Sequence, residues 1–97
     1  MFVGILEIEI FIPGSNSLKE KRQVLKSVQD KIRNKFNVSI TEVDFHDKWQ
    51  RAVLGIALAN HSGKMTEELL ERIKDIIKDN NECLLINEKK HIFTTNE

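Results

Sequence analysis

The chain has 97 residues, 40% hydrophobic and 31% charged, with a formal net charge of zero. That length and composition describe one globular domain with a real core and exclude a disordered or fibrous chain. A single cysteine, Cys83, excludes an internal disulfide scaffold, and the apolar runs fall far short of the ~20 residues that cross a bilayer.

Phe2 to Ile12 alternates with period two. Phe2, Gly4, Leu6, Ile8, Ile10 and Ile12 share one face; Val3, Ile5, Glu7, Glu9 and Phe11 share the other. The pattern predicts a strand, ended by Pro13-Gly14. Ser17-Leu18-Lys19-Glu20 then reads as a capping box, and it opens a helix on which Leu18, Val24, Leu25, Val28, Ile32 and Phe36 project onto an apolar arc of about 120°. Asn34 or Asn37 can help to end it. The zero net charge hides a segregation here: residues 14–36 hold seven basic side chains against two acidic ones, so this segment is +5 and the rest of the chain −5.

β-branched residues at 38, 40, 41 and 43 predict a second strand over Val38 to Phe45, followed by a polar turn at His46-Asp47-Lys48. Trp49 to Ala59 reads as a third strand, with Leu54, Ile56 and Leu58 on one face and Val53, Gly55, Ala57 and Ala59 on the other. Asn60-His61-Ser62-Gly63 breaks the pattern. Met65, Leu69, Leu70, Ile73, Ile76 and Ile77 form a second helical stripe, about 140° wide. After a loop at Asp79 to Glu82, Cys83-Leu84-Leu85-Ile86 starts a fourth strand that can run on to Phe93.

The order β-α-β-β-α-β predicts an α+β, ferredoxin-like split βαβ fold: a four-stranded antiparallel sheet with two helices on one face. Residues 1–93 form this single domain, with 94–97 as a polar, frayed tail. No basic stretch precedes an apolar signal core at Met1-Phe2-Val3-Gly4-Ile5-Leu6, so the expected location is cytoplasmic, with no membrane partner.

Several stretches carry a resemblance. Ser17-Leu18-Lys19-Glu20-Lys21-Arg22, Phe36-Asn37-Val38-Ser39 and Trp49-Gln50-Arg51-Ala52-Val53-Leu54-Gly55, with Ile12-Pro13-Gly14 and Glu42-Val43-Asp44, resemble in order the YlxP-like family of small bacterial proteins. The resemblance covers roughly residues 1–90. It implies a ferredoxin-like fold and, because genes of the family often sit near those for translation initiation and ribosome maturation, a ribosome- or RNA-associated role. It supplies no catalytic residues.

The residues themselves offer two surfaces. Lys19, Arg22, Lys26 and Arg33 fall within a 60° arc beside the apolar stripe, a run of about 20 Å that can track successive phosphates. The same residues can be a solvated face, or can pair with Glu68, Glu71 and Asp75 on the second helix. The outer sheet face carries no aromatic pair at its centre, so RNA contact is expected from the helical side or a strand edge. The second surface is that outer face, where Val3, Ile5, Phe11, Val53, Ala57 and Leu85 would leave an uncovered apolar patch suited to a homodimer or a docked protein, with Arg51 a counterion for the Glu7/Glu9 row.

No constellation points to catalysis. Glu7 and Glu9 lie about 6.8 Å apart on one strand face but without a cleft. Asp44, His46 and Asp47 fit a polar turn as well as a metal site. Cys83 reads as a small buried hydrophobe, Trp49 as a residue packed at a sheet edge, and the four glycines form no phosphate-cradling motif. The sequence therefore predicts a non-enzymatic binding protein without cofactor or metal. Its partner is ribosomal RNA or a ribosome-associated protein through the basic helix, or alternatively a protein, including a second copy, through the open sheet.

Overall fold

The computed structural model describes residues 1–95. Its elements are β1 (Phe2–Phe11), α1 (Leu18–Lys35), β2 (Ser39–Asp44), β3 (Arg51–Asn60), α2 (Gly63–Lys78) and β4 (Leu84–Thr94). The four strands form one antiparallel sheet in the order β2-β3-β1-β4. This is the ferredoxin-like arrangement that the element order predicts.

The period-two pattern of β1 sets the layers. Leu6, Ile8, Ile10 and Ile12 are buried beneath the helices, and Ala52, Leu54, Ile56 and Leu58 of β3 continue the same layer. Pairing between β1 and β3 runs without a break from Phe2 opposite Asn60 to Phe11 opposite Arg51. Leu25, Val28, Ile32 and Phe36 close the core from α1, and Leu70, Ile73 and Ile77 close it from α2. α1 packs towards β2, whereas α2 lies over β1, β3 and β4. Gly4 permits that second approach: a Cβ there would lie 2.6 Å from Thr66 Cγ2 and 3.0 Å from Leu70 Cδ1.

Local chemistry ends the elements where the sequence predicts. Ser17 caps α1, its hydroxyl accepting from the Glu20 amide at 3.1 Å, while the Glu20 carboxylate reaches back to the Asn16 amide at 3.0 Å. Ser62 caps α2 in the same way, accepting from Met65 at 3.1 Å.

Four details depart from the sequence reading. Trp49 and Gln50 precede β3 instead of opening it, because Gln50 is drawn to the β1–α1 loop: its side-chain amide donates to the carbonyls of Pro13 and Ser15, and its own carbonyl accepts from Ile12. Trp49 is left 57% exposed rather than packed. Leu85 joins the core side of the sheet, not the open side, because the β1–β4 register shifts between Glu9 and Ile10 and a simple alternation no longer holds. Thr94 is the last residue of β4, and Thr95 donates its amide to the Met1 carbonyl at 2.9 Å. Of the expected tail, positions 96 and 97 lie outside the described residues.

The largest surprise lies within the apolar stripe of α1. Lys21 projects onto the middle of the arc that Leu25, Val28 and Ile32 occupy, and it is fully buried. Its ammonium donates to Glu42 Oε2 at 2.8 Å, the Phe45 carbonyl at 2.7 Å and the Arg51 carbonyl at 3.1 Å, using all three protons. These acceptors lie on β2, the hairpin loop and the first residue of β3, so one side chain clasps the whole turn to the helix. Phe45 holds φ at 63°, a left-handed conformation that an aromatic residue keeps only when its surroundings over-determine it. Replacing Lys21 by methionine keeps the volume but leaves the shielded Glu42 carboxylate and the Arg51 carbonyl without this donor, the Phe45 carbonyl keeping only the Lys48 amide. The expected cost is about 3 kcal/mol, read as a lowered urea midpoint with an unchanged slope.

Candidate functional site

The two helices share one face of the sheet and equally need a solvated side, yet their charges differ. α2 carries four basic and four acidic residues. α1 carries seven basic and two acidic ones, and the single buried cation, Lys21, is consumed internally. The remaining six (Lys19, Arg22, Lys26, Lys31, Arg33 and Lys35) are all exposed.

Of the four residues singled out in the sequence, Lys19 and Arg22 project freely from the first turns of α1. Lys26 pairs with Asp30 on the same helix at 2.7 Å and is 77% exposed, so a stronger anion can compete for it. Arg33 is also structural, since its Nη2 donates to the Ile40 carbonyl at 2.8 Å and so binds the end of α1 to β2. The pairing considered with α2 is not formed. Among the described residues no ion pair joins the helices, because Glu71 turns instead to Lys74 and to Lys90 of β4.

The clasp at Lys21 brings the hairpin loop beside the basic face. Arg22, Lys26 and Gln29 of α1 share an open groove of about 300 Å³ with Thr41, Glu42 and His46. Farther along the same loop, Lys48 and the exposed Trp49 flank Asn16 at the head of the helix. The sequence pattern alone puts His46 and Lys48 in an isolated turn and Trp49 in a strand. The signal available was Lys21 itself, a charge at the centre of an apolar stripe, which requires acceptors from another element.

The open sheet face is divided. Val3 and Ile5 at one end, and Phe11 and Val53 at the other, are half-buried by their neighbours. Between them run Glu7 and Glu9, with Lys89 opposite Glu7 on β4. Arg51 forms an ion pair with Glu9 and lays its guanidinium over the Phe45 ring, 4.2 Å from the centroid. Glu7 and Glu9 thus face cations of their own sheet. Asp44 and His46 do not converge on a common point: Asp44 accepts from the Phe45 amide, and His46 Nε2 lies 3.1 Å from the Glu42 carbonyl.

Residues 3–90 match the family described as "Protein of unknown function (DUF503)". The chain belongs to that family, the YlxP-like proteins. It is 46% identical over 71 residues to the uncharacterised protein YlxP of Bacillus subtilis (strain 168), spanning 73% of this chain and 77% of that one. Among solved structures, a designed protein with a ferredoxin fold aligns at a TM-score of 0.55 and 16% identity, covering 100% of this chain and 88% of the other. The cofactor-independent oxygenase SnoaB of Streptomyces nogalater aligns at 0.51 and 13%, covering 99% and 94%. At such identities the likeness is one of fold alone, and fold does not carry activity. No helix among the described residues is long and apolar enough to cross a membrane.

Two titrations follow from the contacts of this family member. Hydrogen bonds from Lys74 and then Lys90 hold the Glu71 carboxyl down at about 2, below its ordinary 4.5. Its contribution to stability is therefore complete above about pH 4.5 and is lost as pH falls towards 2. Glu71→Gln should flatten that part of the stability profile, measured as the difference in urea midpoint between the two proteins from pH 5 to 2. Cys83 moves the other way: burial, with the charge of Glu82 adding, pushes its thiol up to about 11. Only about one molecule in a thousand is thiolate at pH 8, so a disulfide reagent should leave the native protein unmodified and label it rapidly in denaturant.

Proposed function

We propose that this protein is a non-enzymatic RNA-binding module, acting on structured RNA of the translation apparatus through the exposed face of α1. The observation that carries the reading is the contrast between the two helices: a merely solvated face would be expected to mix its charges, as α2 does, whereas six exposed cations on α1 face only Glu20 and Asp30. From Lys19 to Arg33 the stripe extends about 21 Å, enough to follow several phosphates. His46 and Lys48 widen it at the hairpin, and the exposed ring of Trp49 offers a surface on which an unpaired base can stack. The family's association with genes of translation agrees with such a partner.

The alternative of protein docking on the open sheet has less support, because the charged row of Glu7, Glu9, Arg51 and Lys89 divides the apolar residues.

The test is a binding isotherm with ribosomal subunits and with structured ribosomal RNA across a salt series. With three to four phosphate contacts, affinity should fall about 40- to 150-fold between 50 and 200 mM salt. A Lys19→Glu, Arg22→Glu, Lys26→Glu variant, which spares the structural Arg33, should bind at least about 30-fold more weakly. Lys64→Glu with Lys78→Glu on α2 should bind nearly as well as the parent. No binding at low salt, or equal loss in the two variants, would remove α1 as the contact surface.

A further inference from the structure

The two edges of the sheet are built differently. β2 is six residues long and is bent by a register shift between Glu42 and Asp44. β4 is eleven residues long, and of these only Leu85 is even partly buried. Four of the eight exposed large hydrophobic residues, Leu84, Ile86, Ile92 and Phe93, lie on this one strand. An edge of that length, with one side of its backbone unpaired, is a template for another strand.

The order of its side chains says which strand. Read from either end, β4 runs apolar, polar, apolar: Leu84-Leu85-Ile86, then Asn87-Glu88-Lys89-Lys90-His91, then Ile92-Phe93. A twofold axis through Lys89 sets Glu88 of one copy opposite Lys90 of the other, twice, and Ile86 opposite Ile92, twice. Such self-complementarity is what an isologous contact requires, since each pair of residues must be repeated in reverse. We infer that β4 is the seam on which two copies of this chain join antiparallel, edge to edge, into one eight-stranded sheet.

The charges that ordinarily blunt an edge are matched here. Glu88 and Lys90 stand on the helix side, opposite Ile8 and Leu6, and within one protomer they meet Lys74 of α2 and Glu67 and Glu71 of α2 respectively. Across the seam each gains a further neighbour of opposite sign. Lys89 alone meets its own copy, and Glu7, its partner on β1, supplies a countercharge on the same face. The shift near Ile86 bends the strand towards its end and leaves the run from Asn87 to Thr94 in register with β1.

The axis stands perpendicular to the sheet, so all four helices of the pair lie on one side. α2 flanks the seam and α1 lies over the far edge, so the seam does not depend on the RNA-binding reading.

Cross-linking through one introduced cysteine, with the buried Cys83 left in place, tests both the seam and its register. Under mild oxidation Lys89→Cys should form a disulfide dimer rapidly, since residues opposite one another on the axis have Cα atoms about 5 Å apart. Asn87→Cys, displaced from its own copy by four residues, should cross-link at least tenfold more slowly, and the buried Cys83 should not react. Light scattering at about 100 µM should give twice 11.3 kDa for the parent, and Ile92→Lys should return the mass to that of one chain. A monomeric parent, or equal cross-linking at 87 and 89, would overturn the seam. A dimer that survives Ile92→Lys and forms no disulfide at 89 would place the contact elsewhere.

Discussion

One buried ammonium group organises the half of this protein that faces its candidate partner. Lys21 sits where the helix periodicity asks for an apolar residue, and its charge is tolerated because each of its three protons meets an acceptor, one of them the Glu42 carboxylate. Without it, the β2–β3 loop would have little to hold it against the helix. Arg51 would lose the anchoring of its own carbonyl, and with it the geometry by which it reaches Glu9 and Phe45. The groove between Arg22 and His46 exists because this clasp sets the distance between helix and hairpin.

The same clasp explains what the sequence pattern could and could not show. The fold was legible because it rests on periodicity: alternation in β1 and β3, two apolar stripes at helical spacing, and the Ser17 capping box where the first stripe begins. Those signals are local, and nothing later in the chain contradicts them. Lys21, Leu85 and Trp49 were not legible for one shared reason: each position is decided by a distant partner. Lys21 needs the hairpin, Leu85 follows a register shift against β1, and Trp49 is carried out of the strand when Gln50 turns to the β1–α1 loop.

The motif on which the family resemblance rests acquires a physical meaning from these contacts. Ser17 and Glu20 cap the helix, Lys21 and Gln50 fasten the hairpin, Arg51 braces the sheet, and Gly55 leaves room for Val43, whose Cγ1 would lie 2.8 Å from a Cβ there. Most of the motif therefore describes architecture. Lys19, Arg22 and Trp49 are exposed members without such a role, and all three lie around the head of α1, where the exposed positive charge begins.

The strand order has a consequence for how the chain comes to be folded. β1 is the first strand made and sits inside the sheet, yet it has no partner within the next forty residues: it waits for β3, beginning at Arg51, and then for β4, beginning at Leu84. Every pairing of the central strand is thus long in sequence, which slows a chain relative to one built from adjacent hairpins. During synthesis the strand richest in isoleucine has both flanks unpaired until β3 emerges, and one flank open until β4 follows. A nascent chain of this protein is therefore most exposed to self-association in the stretch of time before its third strand emerges, when its innermost strand has neither neighbour.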